Sequence, residues 1–144
     1  MSQSVDSALQ QAVLETDDTL YAIVRLGANG IMAAAGILAQ IGEPFAAMIA
    51  DKHEVSLVMP EELIEDYSTR LREHDVASVR YRLITFDLVL DFGLVGFMAR
   101  VSAALADADI PIMPFAAYSR DHLLVPADKF DAAMSTLRTL QNQG

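Results

Sequence analysis

The sequence contains no cysteine. Disulfide cross-links, thiolate metal sites and a thiol nucleophile are therefore excluded. Tryptophan is absent too, and aromatic residues make up only 7% of the 144 residues. Basic residues are scarce, with 10 Lys and Arg against 20 Asp and Glu and a formal net charge of −10. Phosphate backbones repel such a chain, and it has no basic stripe with interleaved aromatics, so nucleic acid and anionic membrane are poor partners. No apolar run approaches the roughly 20 residues that cross a bilayer. The longest candidate, Ile31–Ile41, is too short. The N-terminal Met1-Ser2-Gln3-Ser4-Val5-Asp6 lacks the basic region and apolar core of a signal peptide. A soluble, cytoplasmic protein is the expectation.

Chemistry-bearing motifs are equally sparse. There is no P-loop, no Gly-x-Gly-x-x-Gly and no Gly-x-Ser-x-Gly elbow. The three histidines, His53, His74 and His122, stand at no metal-ligand spacing from one another. No catalytic residue, metal site or cofactor is expected, and the chain is not read as an enzyme.

What the chain does have is a repeat. Leu26-Gly27-Ala28-Asn29-Gly30-Ile31-Met32-Ala33 returns as Phe92-Gly93-Leu94-Val95-Gly96-Phe97-Met98-Ala99, displaced by 66 positions (Gly27 to Gly93). Leu57-Val58-Met59-Pro60-Glu61 matches Leu123-Leu124-Val125-Pro126-Ala127 at the same displacement. Between them, Pro44-Phe45-Ala46-Ala47 recurs letter for letter as Pro114-Phe115-Ala116-Ala117, displaced by 70 (Pro44 to Pro114). A unit of this size is marginal alone, so two like units should fold together, with a small-ligand pocket at their pseudo-twofold seam. The hydrophobic content is 53% and the mean hydropathy is +0.29. Part of that apolar surface is either covered by another chain or absorbed in an Ala-rich core.

Periodicity and punctuation give the element order. Residues 1–18 read as a polar lead-in with a short helix over Val5–Leu14. Leu20–Leu26 reads as a strand, and Ile31–Ile41 as a helix stopped by Gly42. Pro44–Ala50 and Val55–Met59 form a hairpin with Asp51–Glu54 at its tip. Pro60 opens a helix running to about Arg72, with Glu61 and Glu62 complementing its dipole. Val79–Leu90 reads as a long strand, followed by a helix over Gly93–Leu105. Ile110–Tyr118 and Asp121–Val125 form the second hairpin, and Pro126 opens a last helix with Phe130, Met134, Leu137 and Leu140 at helical spacing. Each copy is β-α-β-β-α. The first can recruit the strand that follows it, giving the βαββαβ ferredoxin-like arrangement, an α+β fold with helices on one face of an antiparallel sheet. The second ends on its helix without a fourth strand of its own. Either residues 79–90 serve both copies, or a strand is exchanged between copies or chains. An open edge and the apolar content together predict a homodimer. The expected division is a lead-in at 1–18, one unit at 19–78 and another at 79–144.

The candidate site lies where a strand gives way to a helix. Glycine lets the chain turn there, and the free N–H groups of a helix N-terminus receive a carboxylate or phosphate. Asp91, just before that turn in the second copy, can receive an ammonium group. A carboxylate receptor beside an aspartate suits an α-amino acid. The competing reading of the same residues is a tight turn with Asp91 as a capping residue. Tyr118, where the second copy departs from Met48 of the first, could close one pocket or serve as an ordinary strand tyrosine.

From Phe86 to Leu140 the sequence resembles the ACT domain, in the paired form of aspartokinase regulatory regions and small free-standing tandem-ACT proteins. The resemblance is carried by Val95-Gly96, by Val101-Ser102-Ala103-Ala104-Leu105-Ala106, and by Ala117-Tyr118 leading to Asp121-His122-Leu123-Leu124-Val125-Pro126. Leu20 to about Glu73 resembles a more divergent unit, chiefly through the hairpin and Pro60. The resemblance implies a non-catalytic regulatory protein that binds a small molecule, typically an amino acid, and passes the signal to an enzyme. It implies ligand contacts at Asp91, Gly93, Leu94, Val95 and Gly96 of one unit, Asn29 and Gly30 of the other, and Ala47 and Tyr118 on the facing strands. The sequence departs from the free-standing relatives at one point. A polar Ser-Ser-Leu-Glu-type loop is replaced by Leu90-Asp91-Phe92-Gly93-Leu94. A partner-binding module with a degenerate ligand seam is the alternative that this departure supports.

Overall fold

A computed structural model describes residues 3–71 and 73–143. The chain forms two compact units, one of residues 18–81 and one of residues 1–17 with 82–144. Each has the four-stranded sheet and helix arrangement of a ferredoxin-like βαββαβ unit, though only the first follows that order along the chain.

The first unit contains β2 (Tyr21–Gly27), α2 (Ile31–Gln40), β3 (Ala47–Ala50), β4 (Glu54–Pro60), α3 (Ile64–Leu71) and β5 (His74–Val76). The sheet order is β5-β2-β4-β3. Its ladders are antiparallel, with Val24 opposite Val76, Ile23 opposite Val58, and Ala47 opposite Val58. Alternate residues Val24 and Leu26 of β2, and Val55, Leu57 and Met59 of β4, point to one face, as the two-residue period of a strand requires. There they meet Ala34 and Ile37 of α2 and Leu71 of α3 in a buried core. The helix expected to run to about Arg72 is seen from Ile64 to Leu71. Arg72 itself lies outside the described residues.

The second unit contains β6 (Tyr81–Asp87), α4 (Phe97–Asp107), β7 (Met113–Ala116), β8 (Asp121–Pro126) and α5 (Phe130–Gln143). It does not lack a fourth strand. The N-terminal segment, expected as a lead-in with a helix over Val5–Leu14, breaks into α1 (Val5–Gln11) and β1 (Val13–Thr16). Strand β1 pairs antiparallel with β6, Leu14 lying opposite Phe86. The sheet order becomes β1-β6-β8-β7, the same as in the first unit, except that the edge strand comes first in the chain instead of last. Neither a strand shared by both copies nor one borrowed from another chain is needed. Helix α1 is capped by Ser4, whose hydroxyl accepts from the Ser7 N–H at 3.1 Å. Its Ala8 and Leu9 enter a core with Phe86, Phe97, Val101, Leu105, Leu123, Val125 and Leu137. Phe86 and Phe97 meet edge to face, centroids 5.3 Å apart. Gln141 of α5 fixes the end of α1 by donating to the carbonyls of Leu9 and Ala12.

The structure also corrects the alignment of the repeats. Ala47 lies opposite Val58, two residues before Pro60. Met113 lies opposite Leu124, two residues before Pro126. Met113, not Ala117, is therefore the partner of Ala47, and the hairpins correspond at a displacement of 66 (Ala47 to Met113). The letter-for-letter Pro-Phe-Ala-Ala match at 70 is out of register. Its first copy precedes β3 up to Ala46, whereas Pro114, Phe115 and Ala116 lie within β7. Strand register follows the pairing and the buried face, and four small or apolar letters do not determine it.

Candidate functional site

Strand β6 ends at Asp87 and α4 begins at Phe97, leaving residues 88–96 as a loop. The Leu90 N–H donates to Ser119 O at 2.8 Å, which ties this loop to the tip of the β7–β8 hairpin. A turn follows, in which the Leu94 N–H donates to Asp91 O at 3.0 Å. Gly96 then takes φ +100°, a left-handed conformation that L side chains avoid, and forms the N-cap of α4. The first bond within α4 runs from Arg100 N–H to Gly96 O at 3.1 Å. The N–H groups of Phe97, Met98 and Ala99 thus have no partner inside the helix.

Loop, helix start and hairpin tip surround a cavity of about 670 Å³. Leu90, Asp91, Phe92, Leu94 and Gly96 line it from the loop, Phe97 to Ala99 from α4, and Ala116 to Asp121 from the hairpin. Phe92 and Tyr118 meet edge to face at 5.0 Å and are 78% and 83% exposed, forming an aromatic rim. Three charged groups face the cavity. Asp91 accepts from the Gln3 N–H at 3.3 Å. Arg120 donates to Asp87 at 2.7 Å. Burial raises the pKa of the Asp121 carboxyl, against a smaller opposing pull from His122.

The His122 ring shares a 2.8 Å hydrogen bond, through Nδ1, with the hydroxyl of buried Thr85. Burial lowers its pKa. Asp121 and Glu15 act against that shift, and Arg120 adds to it.

Of the residues expected at a ligand site, Asp91, Leu94, Gly96 and Tyr118 come together at this cavity. Gly93 and Val95 belong to the same loop but do not line it. A β-carbon at Gly93 meets open space, and Val95 is 87% exposed. Tyr118 sits at the hairpin tip, between β7 and β8, rather than on a strand. Asn29 and Gly30 line a separate cleft of about 370 Å³ in the first unit, with Arg70 and Glu73. Ala47 opens β3 and lines neither of these two cavities. Sequence reasoning missed Arg120 and Asp121 as wall residues because it read them only as part of the second hairpin. Phe92, read only as a departure from the family, is the ring partner of Tyr118. Among the described residues no group of His, Asp and Glu is arranged to hold a metal ion, and no helix is long and apolar enough to cross a membrane.

Residues 76–139 match the family model of the ACT domain. Among curated proteins, none matches the chain at a significant level. Among solved structures, a protein of unknown function from Vibrio cholerae, described as a possible transport protein, is 23% identical with a TM-score of 0.73, the alignment covering 96% of both chains. A protein from Agobacterium tumefaciens is 20% identical with a TM-score of 0.70, covering 90% of this chain and 89% of the other. The ligand-free regulatory subunit of aspartate kinase from Thermus thermophilus is 14% identical with a TM-score of 0.66, covering 90% and 97%. These likenesses establish a shared fold.

Proposed function

With residues 76–139 matching the ACT domain and a chain that folds as two such units, we propose that the protein is a non-catalytic regulator that binds a small molecule, an amino acid, in the cavity of its second unit. The observation that carries this reading is the convergence of a Gly96-led helix start, the Asp91 carboxylate and the Phe92–Tyr118 rim on one cavity. An α-carboxylate suits the free N–H groups of Phe97 to Ala99, because the helix dipole and unpaired donors favour an anion there. An α-ammonium suits Asp91. The side chain would lie against Leu94, Met98 and the aromatic rim. The fold shared with regulatory subunits of aspartate kinase supports a role in which the bound state is passed to an enzyme.

The test is a thermal-shift screen of the twenty proteinogenic L-amino acids. A ligand present at about 100 times its dissociation constant stabilises the fold by roughly 2.7 kcal/mol. One amino acid or a chemically related few should raise the melting temperature. No shift with any of them at millimolar concentration would remove the reading.

One observation favours a second reading, a partner-binding module. Val89, Phe92, Val95 and Tyr118 are 57%, 78%, 87% and 83% exposed within the same loop and hairpin tip. A patch of large exposed apolar groups marks an interaction surface. We place the protein in the cytoplasm as a homodimer. The case for a dimer now rests on such exposed apolar groups alone, since β1 supplies the strand that the second unit was expected to lack. Light scattering at micromolar concentration separates dimer from monomer.

A further inference from the structure

Gln3 makes three hydrogen bonds to a loop 86 to 88 residues away in sequence. Its Oε1 accepts from the Asp91 N–H at 2.9 Å, and its Nε2 donates to Val89 O at 3.1 Å. Its backbone N–H donates to Asp91 Oδ2 at 3.3 Å. A carboxamide carries the same donor and acceptor as a peptide group. Bonding to the carbonyl of one residue and the N–H of the second one after it, the Gln3 side chain grips the loop as a neighbouring strand would. Leu90, between those two residues, is held from the hairpin side through Ser119 O.

The segment that presents Gln3 is itself well anchored. Ser4 caps α1, and Ala8 and Leu9 of that helix are buried. Asp6 pairs with Arg100 of α4 at 2.8 Å. The Val5 side chain approaches to 3.8 Å of where a β-carbon on Gly96 would stand.

We infer that Gln3 is a positioning residue of the ligand site. It holds Asp91 in the orientation that receives the ligand's ammonium group. This rests on the binding reading given above. The Gln3 contact occupies Oδ2 with a long bond, and Oδ1 accepts from no group among the described residues, so one oxygen is left for a ligand. A loop already fixed in its bound form loses less freedom on binding, which is how such a residue raises affinity without touching the ligand.

Two readouts on the full chain test this, with Gln3→Ala and Gln3→Glu as variants. Glutamate keeps an acceptor for the Asp91 N–H but loses the donor to Val89 O. Amide exchange of Asp91, measured by NMR without ligand, should accelerate about threefold to tenfold in Gln3→Ala, the range for losing an exposed hydrogen bond, and less in Gln3→Glu. Calorimetry, with the tightest of the twenty L-amino acids as probe, should show Gln3→Ala binding about threefold to tenfold more weakly. The melting temperature without ligand should not change, because Gln3 is only half-buried and lies outside the core. Unchanged Asp91 exchange overturns the grip of Gln3 on the loop. Accelerated exchange with unchanged affinity overturns its positioning role. If no amino acid binds the wild-type chain, the binding reading and the positioning role both fall, whatever the exchange shows.

Discussion

The two units share one sheet order but differ where a central strand, β2 or β6, hands over to the helix that follows it. In the first unit a single 3-10 turn, Ala28–Gly30, joins β2 to α2. A β-carbon on Gly30 would stand 2.9 Å from the β-carbon of Leu26, so that turn is packed directly on the strand it leaves. In the second unit residues 88–96 intervene, and the chain reaches α4 through the left-handed Gly96. The longer loop has room for Asp91 and Phe92, and it reaches the hairpin tip at Ser119 and Tyr118. The cavity is about 670 Å³ in the second unit against about 370 Å³ at the matching turn of the first. A repeated fold can thus open a larger cavity in one copy through a longer loop, while the sheet order stays the same.

The comparison requires that each unit have its own core. Phe86 lies opposite Leu14 and edge-on to Phe97, and it is 1% exposed. Phe86→Ala should cost about 3–5 kcal/mol, and Leu57→Ala in the first unit about 2–5 kcal/mol. Urea denaturation measures both. A cost below about 1 kcal/mol at Phe86 would break the assignment of β1 and β6 to a common packed sheet.

A smaller effect distinguishes the two glycines of the longer loop. Gly96→Val places a β-branched residue at φ +100° and should cost at least about 1–2 kcal/mol. At Gly93 a β-carbon meets nothing within 4 Å. Gly93→Ala should stay within about 0.5 kcal/mol of wild type. Equal costs at the two positions would mean that the turn is not organised around Gly96.

The smallest effect concerns His122, which has no histidine counterpart on β4. Burial lowers its pKa below 6.5, so the unfolded chain binds this proton more readily than the folded one. The stabilisation from a neutral His122 is full above that value and declines as pH falls from 6.5 toward the lowered value. Asp121 works in a more acidic window. Its pKa is raised above 3.8, so stability declines as pH rises from 3.8 toward the folded value. Thermal melts at about pH 7.5 and about pH 5.5 should show a modest drop at the lower pH that is reduced in His122→Gln. A drop of equal size in the variant would remove His122 as its source.

The fold was largely legible because hairpins and helices announce themselves. Pro60 and Pro126 each precede a 3-10 turn that leads into a helix, and apolar alternation in β4 and the spacing along α5 set the buried faces. Strand β1 was not legible. Its four residues, Val-Leu-Glu-Thr, are mostly exposed, and Val13 is 63% so, which leaves Leu14 as the one inward signal. The partner that makes it a strand lies about 70 residues away, so only tertiary pairing reveals it. Tyr118 lines the cavity, but it was singled out through a mistaken alignment. Its counterpart at a displacement of 66 is Lys52 at the tip of the first hairpin, not Met48. Asp91 and Gly96, which line the cavity, were singled out by chemistry that does not depend on register, since a helix start and a nearby carboxylate are local features. Arg120 and Asp121 were passed over because the cavity that they line exists only after the loop and hairpin have been brought together.

The measurement that bears most directly on this account is calorimetry of the best-binding L-amino acid with wild type, Asp91→Ala and Asn29→Ala. Loss of a hydrogen bond to a charged group costs about 1.5–3 kcal/mol, so Asp91→Ala should weaken binding by roughly tenfold or more. Asn29→Ala, in the shorter loop of the first unit, should bind as wild type does. Binding that survives Asp91→Ala and is lost in Asn29→Ala would place the site in the first unit and contradict the account.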